Sequence, residues 1–329
     1  MSEMKLDVVV TRGDTVEAVH RVHAAAVDPS GRLVAHAREA RWVSHWRSCA
    51  KPFQSMPFME AGGYDALGWG DEQVALSCAS HGGEPEHIAI AQGMLASLGL
   101  SERDLACGPH EPLTARGVDA LRAAGQKPTR LHNNCSGKHS AMLARAQQGG
   151  WPTEGYHRPD HPVQQGCLAS VSRWTGLRAD EIGRAVDGCG VVEFSLPLTA
   201  MAASYARLGQ AAVDGVPGPA RIVRAMGVHP FLVGGTGRFD TVLMEETAGR
   251  VIAKVGAEGV HTAVSLDRGI GVAVKVEDGA ARGQYPALLR ALQLLDVLPA
   301  ELPPRLDEFL RRPITNTRGE TVGDIRPAE

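Results

Sequence analysis

The apolar period of this chain changes twice, and that order of patterns limits its fold more than any other feature. Residues 5–11 (KLDVVVT) and 16–27 (VEAVHRVHAAAV) are rich in β-branched residues. Asp28-Pro29-Ser30-Gly31 is a turn signal, and Arg32 to Ala37 predicts a returning strand. The N-terminus is therefore expected to form an antiparallel meander. From Ser48 to about Gly227 the period becomes helical, with predicted helices at 71–79, 86–98, 114–124, 138–148, 162–175, 197–212 and 217–226 separated by Gly or Pro. Strands return at 250–254, 259–266 and 270–276, followed by a helix at 280–296. This order predicts an α/β (α+β) chain whose antiparallel sheet is built by both chain ends around a large helical insertion. One domain of two lobes is expected over 1–329, with a sheet lobe from 1–47 and 228–329 and a mainly helical lobe from 48–227. The last dozen residues read as loosely ordered.

Composition removes several function classes. The chain has 329 residues, 43% hydrophobic and 22% charged, which are globular values. A net charge of −3 gives no global attraction to nucleic acid. No apolar run reaches membrane-spanning length, and Met1-Ser2-Glu3-Met4-Lys5 lacks the apolar core of a signal peptide. A cytoplasmic protein with no membrane partner is expected. The cysteines at 49, 78, 107, 135, 167 and 189 then read as thiols rather than disulfides, some buried as small hydrophobes and some available as ligands.

Four segments concentrate reactive side chains. In Arg47-Ser48-Cys49-Ala50-Lys51-Pro52 a Ser and a Lys stand three apart, a spacing that shares one helix face. An amine beside a hydroxyl can make serine a nucleophile without histidine. Pro52 fits a helical first turn, so Ser48 is expected at a helix N-terminus, whose dipole favours a developing alkoxide. Lys51 acts as a base only in its neutral form, which burial and neighbouring cations such as Arg47 and Lys254 favour. As plain structure, the same residues are a Ser N-cap and a surface Lys. Ser77-Cys78-Ala79-Ser80-His81-Gly82-Gly83 closes a helix with small residues that admit a ligand to the backbone, and Ser80 offers a second hydroxyl. An ordinary helix C-terminus reads the same way.

His132-Asn133-Asn134-Cys135-Ser136-Gly137-Lys138-His139 precedes a helix. It lacks the first glycine of a phosphate loop, so nucleotide binding is rejected. Cys135 and Lys138 could face one point, and Cys189 lies in a glycine-flanked loop, Asp187-Gly188-Cys189-Gly190. Two thiolates and one further donor suit a tetrahedral zinc with an open position, against the plainer reading of buried thiols. Lys254-Val255-Gly256 ends a strand, where glycine lets another chain lie close to the edge, or simply exits to a turn. Gly234-Gly235-Thr236-Gly237-Arg238 lacks the context of a dinucleotide fingerprint and reads equally as an active-site loop or a structural turn.

The pairing of S-x-x-K with a distant lysine on a strand resembles the signature of the serine β-lactamases and penicillin-binding enzymes. Taken together, RSCAKPFQ, SCASHGGE, NNCSGKHS, DHPVQ, DGCG, HPFLVGGTGRFDT and KVGAEGV resemble the type II L-asparaginases related to the inducible rhizobial enzyme. The resemblance continues to Asn316-x-x-Gly319 and Val322-Gly323, with Val22 and Val192 standing where Gly and Pro are expected. It implies a serine β-lactamase-like fold and hydrolysis of L-asparagine to L-aspartate and ammonia. It also implies two Ser–Lys tandems, Ser48 with Lys51 and Ser80 with Lys254. A zinc site would fall on Cys135, Lys138 and Cys189, with water as fourth ligand. Arg47, Asn133, Asn134, His139 and Asp187 become the substrate and supporting groups, and the assembly a homodimer. A glutaminase or other small-amide hydrolase of the same fold is the nearest alternative. A non-catalytic amino-acid-binding protein, or a protein holding a structural zinc, would be of a different class.

Overall fold

The computed structural model describes residues 2–328. Two compact units emerge from the packing. The first comprises Met1–Cys49, Leu196–Gln210 and Arg250–Glu329, and the second Ala50–Ser195 and Ala211–Gly249. The architecture is the mixed α/β arrangement expected, with antiparallel sheet contributed by both chain ends and helices between.

In the first unit a six-stranded sheet runs in the order Ser2–Glu3, Leu33–Ala37, Val22–Val27, Ile270–Val276, Val260–Ser265, Val251–Val255. All neighbours are antiparallel except the short first pair. The central strand VHAAAV is buried at every position, so it reads as a continuous small apolar run rather than an alternating one. Helix Leu198–Val213 lies hard against this sheet. A Cβ at Gly271 would meet the Ala202 carbonyl oxygen at 2.0 Å, so only glycine lets the helix backbone approach the strand this closely.

A second sheet runs Arg312–Thr315, Thr321–Pro327, Val8–Arg12, Thr15–His20. It corrects two expectations. The N-terminal strands do not form one meander: Val8–Arg12 and Thr15–His20 belong to this sheet, while Val22–Val27 and Leu33–Ala37 belong to the larger one. The chain changes sheet at Arg21, inside a run that reads as a single strand. The C-terminal residues are not loosely ordered either. Ile325 is buried opposite Val10, and the Ala328 amide donates to the Asp7 carbonyl at 2.7 Å. Their polar sequence hid a strand whose pairing lies more than three hundred residues away.

The second unit is mainly helical. Helices Lys51–Glu60, Pro85–Ser97, Pro162–Thr175 and Pro217–Val228 all carry proline in the first turn, where its missing N–H costs nothing. Helix Ser136–Gln148 is buried along most of its length. It packs against Asp71–Ser77 at Gly137, where a Cβ would come within 2.4 Å of the Leu76 oxygen. The helical block also holds a hairpin that periodicity did not reveal, Gly183–Val186 paired with the strand beginning at Val192. Its tip is Asp187-Gly188-Cys189-Gly190. The Asp187 amide donates to Val191 O, the Gly190 amide donates to Asp187 O, and Gly190 takes φ +90°. No helix among the described residues is long and apolar enough to cross a membrane.

Two glycines test this packing. Gly271→Ala should lower stability by roughly 3 kcal/mol, because backbone on both sides must move. Gly93→Ala, on the exposed face of helix Pro85–Ser97 with nothing within 4 Å, should leave stability unchanged or raise it. Urea unfolding midpoints of the two variants check the contrast.

Candidate active site

The candidate groups fall in both units. Arg47, Ser48 and Lys254 belong to the first. Lys51, Ser80, Asn133, Asn134, Cys135, Lys138, His139, Asp187 and Cys189 belong to the second.

Ser48 does not begin an α-helix as expected. It sits inside a single 3-10 turn, Arg47–Ala50, which enters helix Lys51–Glu60. Arg47 opens that turn at φ +52°, in the left-handed region that a side-chain-bearing residue rarely adopts. The neighbouring Cys49 is tied to the strand that carries Lys254. Its thiol donates to Lys254 O at 2.9 Å, and Tyr205 Oη donates to Cys49 O at 2.8 Å. Gly256 makes this approach possible, since a Cβ there would lie 3.1 Å from Cys49 Sγ and 3.2 Å from Trp46 O. Lys254 is fully buried, opposite Thr262 in the sheet, and its amine donates to Val255 O at 2.9 Å.

In the second unit Lys51 is also fully buried. Its Nζ donates to Ser80 Oγ at 3.1 Å, to Ala79 O, and to Asn134 O at 3.5 Å. The helix places the amine, and two loops supply its acceptors. Ser80 is fixed through its own backbone, its amide donating to Val233 O at 3.0 Å and its carbonyl accepting from Arg238 Nη1 at 2.5 Å. The His81 amide donates to Asn134 O at 3.3 Å, joining the Ser80 loop to the Asn134 loop. The His81 ring is neutral with a fixed tautomer. Nδ1 accepts from the Gly83 amide at 3.1 Å, so Nε2 carries the proton it shares with Ser136 Oγ at 2.9 Å. Burial first, then the charges of His87 and Lys51, pushes this imidazole well below its ordinary range.

Both ends of the Asn133 amide are taken by backbone, Nδ2 donating to Gly108 O at 2.9 Å and Oδ1 accepting the Cys135 amide at 3.0 Å. That side chain shapes the loop. Asn134 Oδ1 lies 3.3 Å from Cys135 Sγ. His139 is fully buried, with Nδ1 2.5 Å from Tyr156 Oη and Nε2 without a protein partner. Burial, reinforced by the Lys138 charge, lowers it to about 3.

The thiols meet as the sequence suggests, with one added member. Donor atoms of Cys135, Asp187 and Cys189 all lie within 4.8 Å of one another. Lys138 Nζ is 3.1 Å from Cys189 Sγ, and Cys189 Sγ is 3.0 Å from Asp187 Oδ2. The hydrogen bond between the thiols lowers Cys189 and raises Cys135, which makes Cys189 the more acidic of the two. Burial opposes the Lys138 charge, but Cys189, Cys135 and Asp187 outweigh it and hold the amine protonated.

Two contacts escaped the sequence. Glu84, buried beside Ser80 in the chain, accepts from the Thr236 amide at 2.7 Å, from Thr236 Oγ1 at 2.6 Å and from Arg116 at 2.7 Å. Arg238 belongs to the same glycine-rich loop, which reads equally as structural turn or site from residues alone. The only signal available was the crowding of glycines at 82–83 and 234–235, a mark of close backbone approach.

A fully buried amine thus lies 3.1 Å from a serine hydroxyl, in a chain whose family model marks it as an amidohydrolase. The chain belongs to the L-asparaginase II family, whose family model matches residues 8–327. No curated protein matches it significantly. Solved structures similar to it include one described as Mglu, at 15% identity and TM-score 0.46 over 86% of this chain and 69% of that one. In its tris and glutamate form the share of the Mglu chain spanned falls to 61%. A beta-lactamase from Mycobacterium bovis is similar at 12% identity and TM-score 0.37, over 84% of this chain and 96% of that one. These likenesses are remote and say nothing of chemistry.

The Glu84 carboxyl gives a pH test. Burial alone would raise it, but the hydrogen bonds from Thr236 and Arg116 outweigh burial and hold it below the ordinary 4.5. The stability it contributes is therefore complete above pH 4.5 and is lost as pH falls through the lower folded value. Chemical denaturation between pH 7 and pH 3 should show the advantage of the native chain over Glu84→Gln shrinking only on this acid side.

Proposed function

We propose that this chain hydrolyses the side-chain amide of L-asparagine to L-aspartate and ammonia through a lysine-activated serine. The observation that supports it most is the fully buried Lys51 amine 3.1 Å from Ser80 Oγ in a chain of the L-asparaginase II family. As the base, Lys51 is a neutral amine: its two N–H groups go to Ala79 O and Asn134 O, and its lone pair takes the Ser80 hydroxyl proton as the serine oxygen attacks the amide carbon. Backbone N–H groups stabilise the resulting oxyanion, each donor contributing about 3 kcal/mol. The proton held by the lysine passes to the leaving nitrogen, and ammonia departs. Water then attacks the acyl ester, with lysine accepting its proton and returning one to the serine oxygen. Ser48 and Lys254 complete the four-group set carried over from the family resemblance. The 3.1 Å contact supports Ser80 as a partner of Lys51, beside the Ser48–Lys51 pairing that sequence spacing suggests.

Zinc belongs to the same reading. Two thiols and a carboxylate with donor atoms within 4.8 Å of one another, and an amine 3.1 Å from one of the thiols, are a donor set suited to it once the thiols and the amine give up their protons to the ion. Cys135, Cys189 and Lys138 would hold the ion with water, and Asp187 is a further donor. Bound zinc supplies a Lewis acid for the substrate α-amino or α-carboxylate group. Arg47, Asn134 and His139 remain the proposed substrate contacts, and a homodimer the proposed assembly.

Ammonia release from L-asparagine and L-glutamine tests the substrate. Glutamine should be slower by about 10- to 200-fold in kcat/KM, the discrimination one methylene allows. Ser80→Ala and Lys51→Met should each lose about a thousand-fold or more in kcat. Full activity in Ser80→Ala, with loss in Ser48→Ala, would move the nucleophile to Ser48. Elemental analysis should find about one zinc per chain and none in Cys189→Ala; a metal-free chain of full activity removes the zinc from the reading.

A further inference from the structure

Ser80 does not hold its own position. Its backbone is gripped on both sides by one segment, with Val233 O accepting its amide and Arg238 Nη1 donating to its carbonyl. That segment is glycine-rich, and at Gly235 it takes φ +115°, a conformation with little intrinsic stiffness. Two side chains hold it from outside: Thr241 Oγ1 donates to Gly235 O at 2.9 Å, and a carboxylate grips the next residue. Glu84 is 0% exposed and receives both the amide and the hydroxyl of Thr236, at 2.7 and 2.6 Å. Arg116 closes the third side of the carboxylate at 2.7 Å and is itself braced by Glu86 at 2.8 Å.

Sterics show how tight this junction is. A Cβ at Gly235 would lie 2.7 Å from Glu84 Oε1 and 3.1 Å from Gly82 Cα. A Cβ at Gly82 would lie 2.8 Å from the same oxygen. The two loops therefore cross glycine on glycine, with the carboxylate filling the space that side chains would need. A buried carboxylate left with fewer donors is strongly disfavoured, so Thr236 cannot drift without a penalty.

We propose that Glu84 and Thr236 are positioning residues for the serine chemistry. Together they lock the Gly234–Arg238 loop so that Arg238 and Val233 hold Ser80 with its hydroxyl on Lys51. Neither residue touches the reacting atoms. The inference rests on the proposed serine mechanism, yet its structural part stands separately from it.

Thr236→Val is the sharpest probe. It is isosteric, keeps the backbone N–H to Glu84 and removes only the hydroxyl donor. Thr236→Ser restores that donor. With L-asparagine, Thr236→Val and Glu84→Gln should lower kcat about ten-fold with KM within two-fold of the native chain, and Thr236→Ser should recover most of the loss. Native kcat in Thr236→Val, or equal losses in the Val and Ser variants, overturns the proposal. Loss that merely follows the folded fraction, measured by circular dichroism on the same samples, overturns it too. A native chain that releases no ammonia from asparagine or glutamine refutes the proposed function instead. The positioning role is then read from a crystal structure of Thr236→Val. A Ser80 Oγ to Lys51 Nζ distance beyond 3.5 Å upholds it, and an unchanged distance overturns it.

Discussion

The second unit is organised around one amine that has no access to water. Lys51 is buried completely, and its amine has three polar neighbours, Ser80 Oγ, Ala79 O and Asn134 O. A lysine head group can be buried only where acceptors replace its hydration. Three such neighbours at fixed positions demand that two separate loops, at 79–81 and 133–135, keep their backbones still. Each such hydrogen bond contributes about 0.5–1.5 kcal/mol net, and leaving a buried partner unsatisfied costs about 1–3 kcal/mol. The His81 amide on Asn134 O and the Gly83 amide on the His81 ring extend the same constraint outward. Ser80 gains a fixed hydroxyl because the lysine beside it needs one.

Glycine is what allows so many backbones to converge. At Gly137 the helix carrying Lys138 touches the Leu76 carbonyl, and at Gly82 and Gly235 two loops cross without side chains between them. In the first unit Gly256 admits Cys49 and Trp46 to the end of the Lys254 strand. These positions have a common logic. A polar centre buried away from water must be walled by backbone, which supplies carbonyls and amides at high density. Side chains would hold those groups apart. The cost is conformational freedom in the unfolded chain, and hydrogen bonds to buried charged groups such as Glu84 offset it.

Much of this was legible in the residues. The two changes of period gave the strand–helix–strand order, because a helical period over many turns and a run of small apolar strand residues are both local signals. Cys135, Lys138 and Cys189 could be grouped as potential donors because reactive side chains are rare in such density, and the structure brings them together. What stayed hidden was non-local. Val192 begins a strand whose partner hairpin carries Asp187 and Cys189 at its tip, yet GRAV is too short and too exposed to show a period. Thr321–Pro327 reads as polar chain until Val8–Arg12 is laid beside it. Glu84 looks like any acidic residue before a helix. Its role comes from Thr236, 152 residues away. Spacing of three residues suggested Ser48 as a partner of Lys51; the contact of Lys51 with Ser80 crosses to another loop, which no local spacing shows.

The Asn133–Lys138 turn links the two chemistries physically. Its Asn134 carbonyl is an acceptor for the Lys51 amine, and one residue later Cys135 begins the thiol cluster. One turn of helix further, Lys138 reaches Cys189 on the hairpin tip. Asn133 spends its whole amide holding this turn in shape, between Gly108 O and the Cys135 amide. The serine-directed lysine and the thiol-directed lysine are thus braced by the same few peptide groups. A displacement of the Cys135 backbone must move the Asn134 carbonyl with it, because only one peptide bond separates them and that bond is planar. Whatever occupies the cluster therefore bears mechanically on the acceptor set of Lys51. The hairpin at 183–197, which supplies Asp187 and Cys189, thereby bears on the position of the Lys51 amine without touching it.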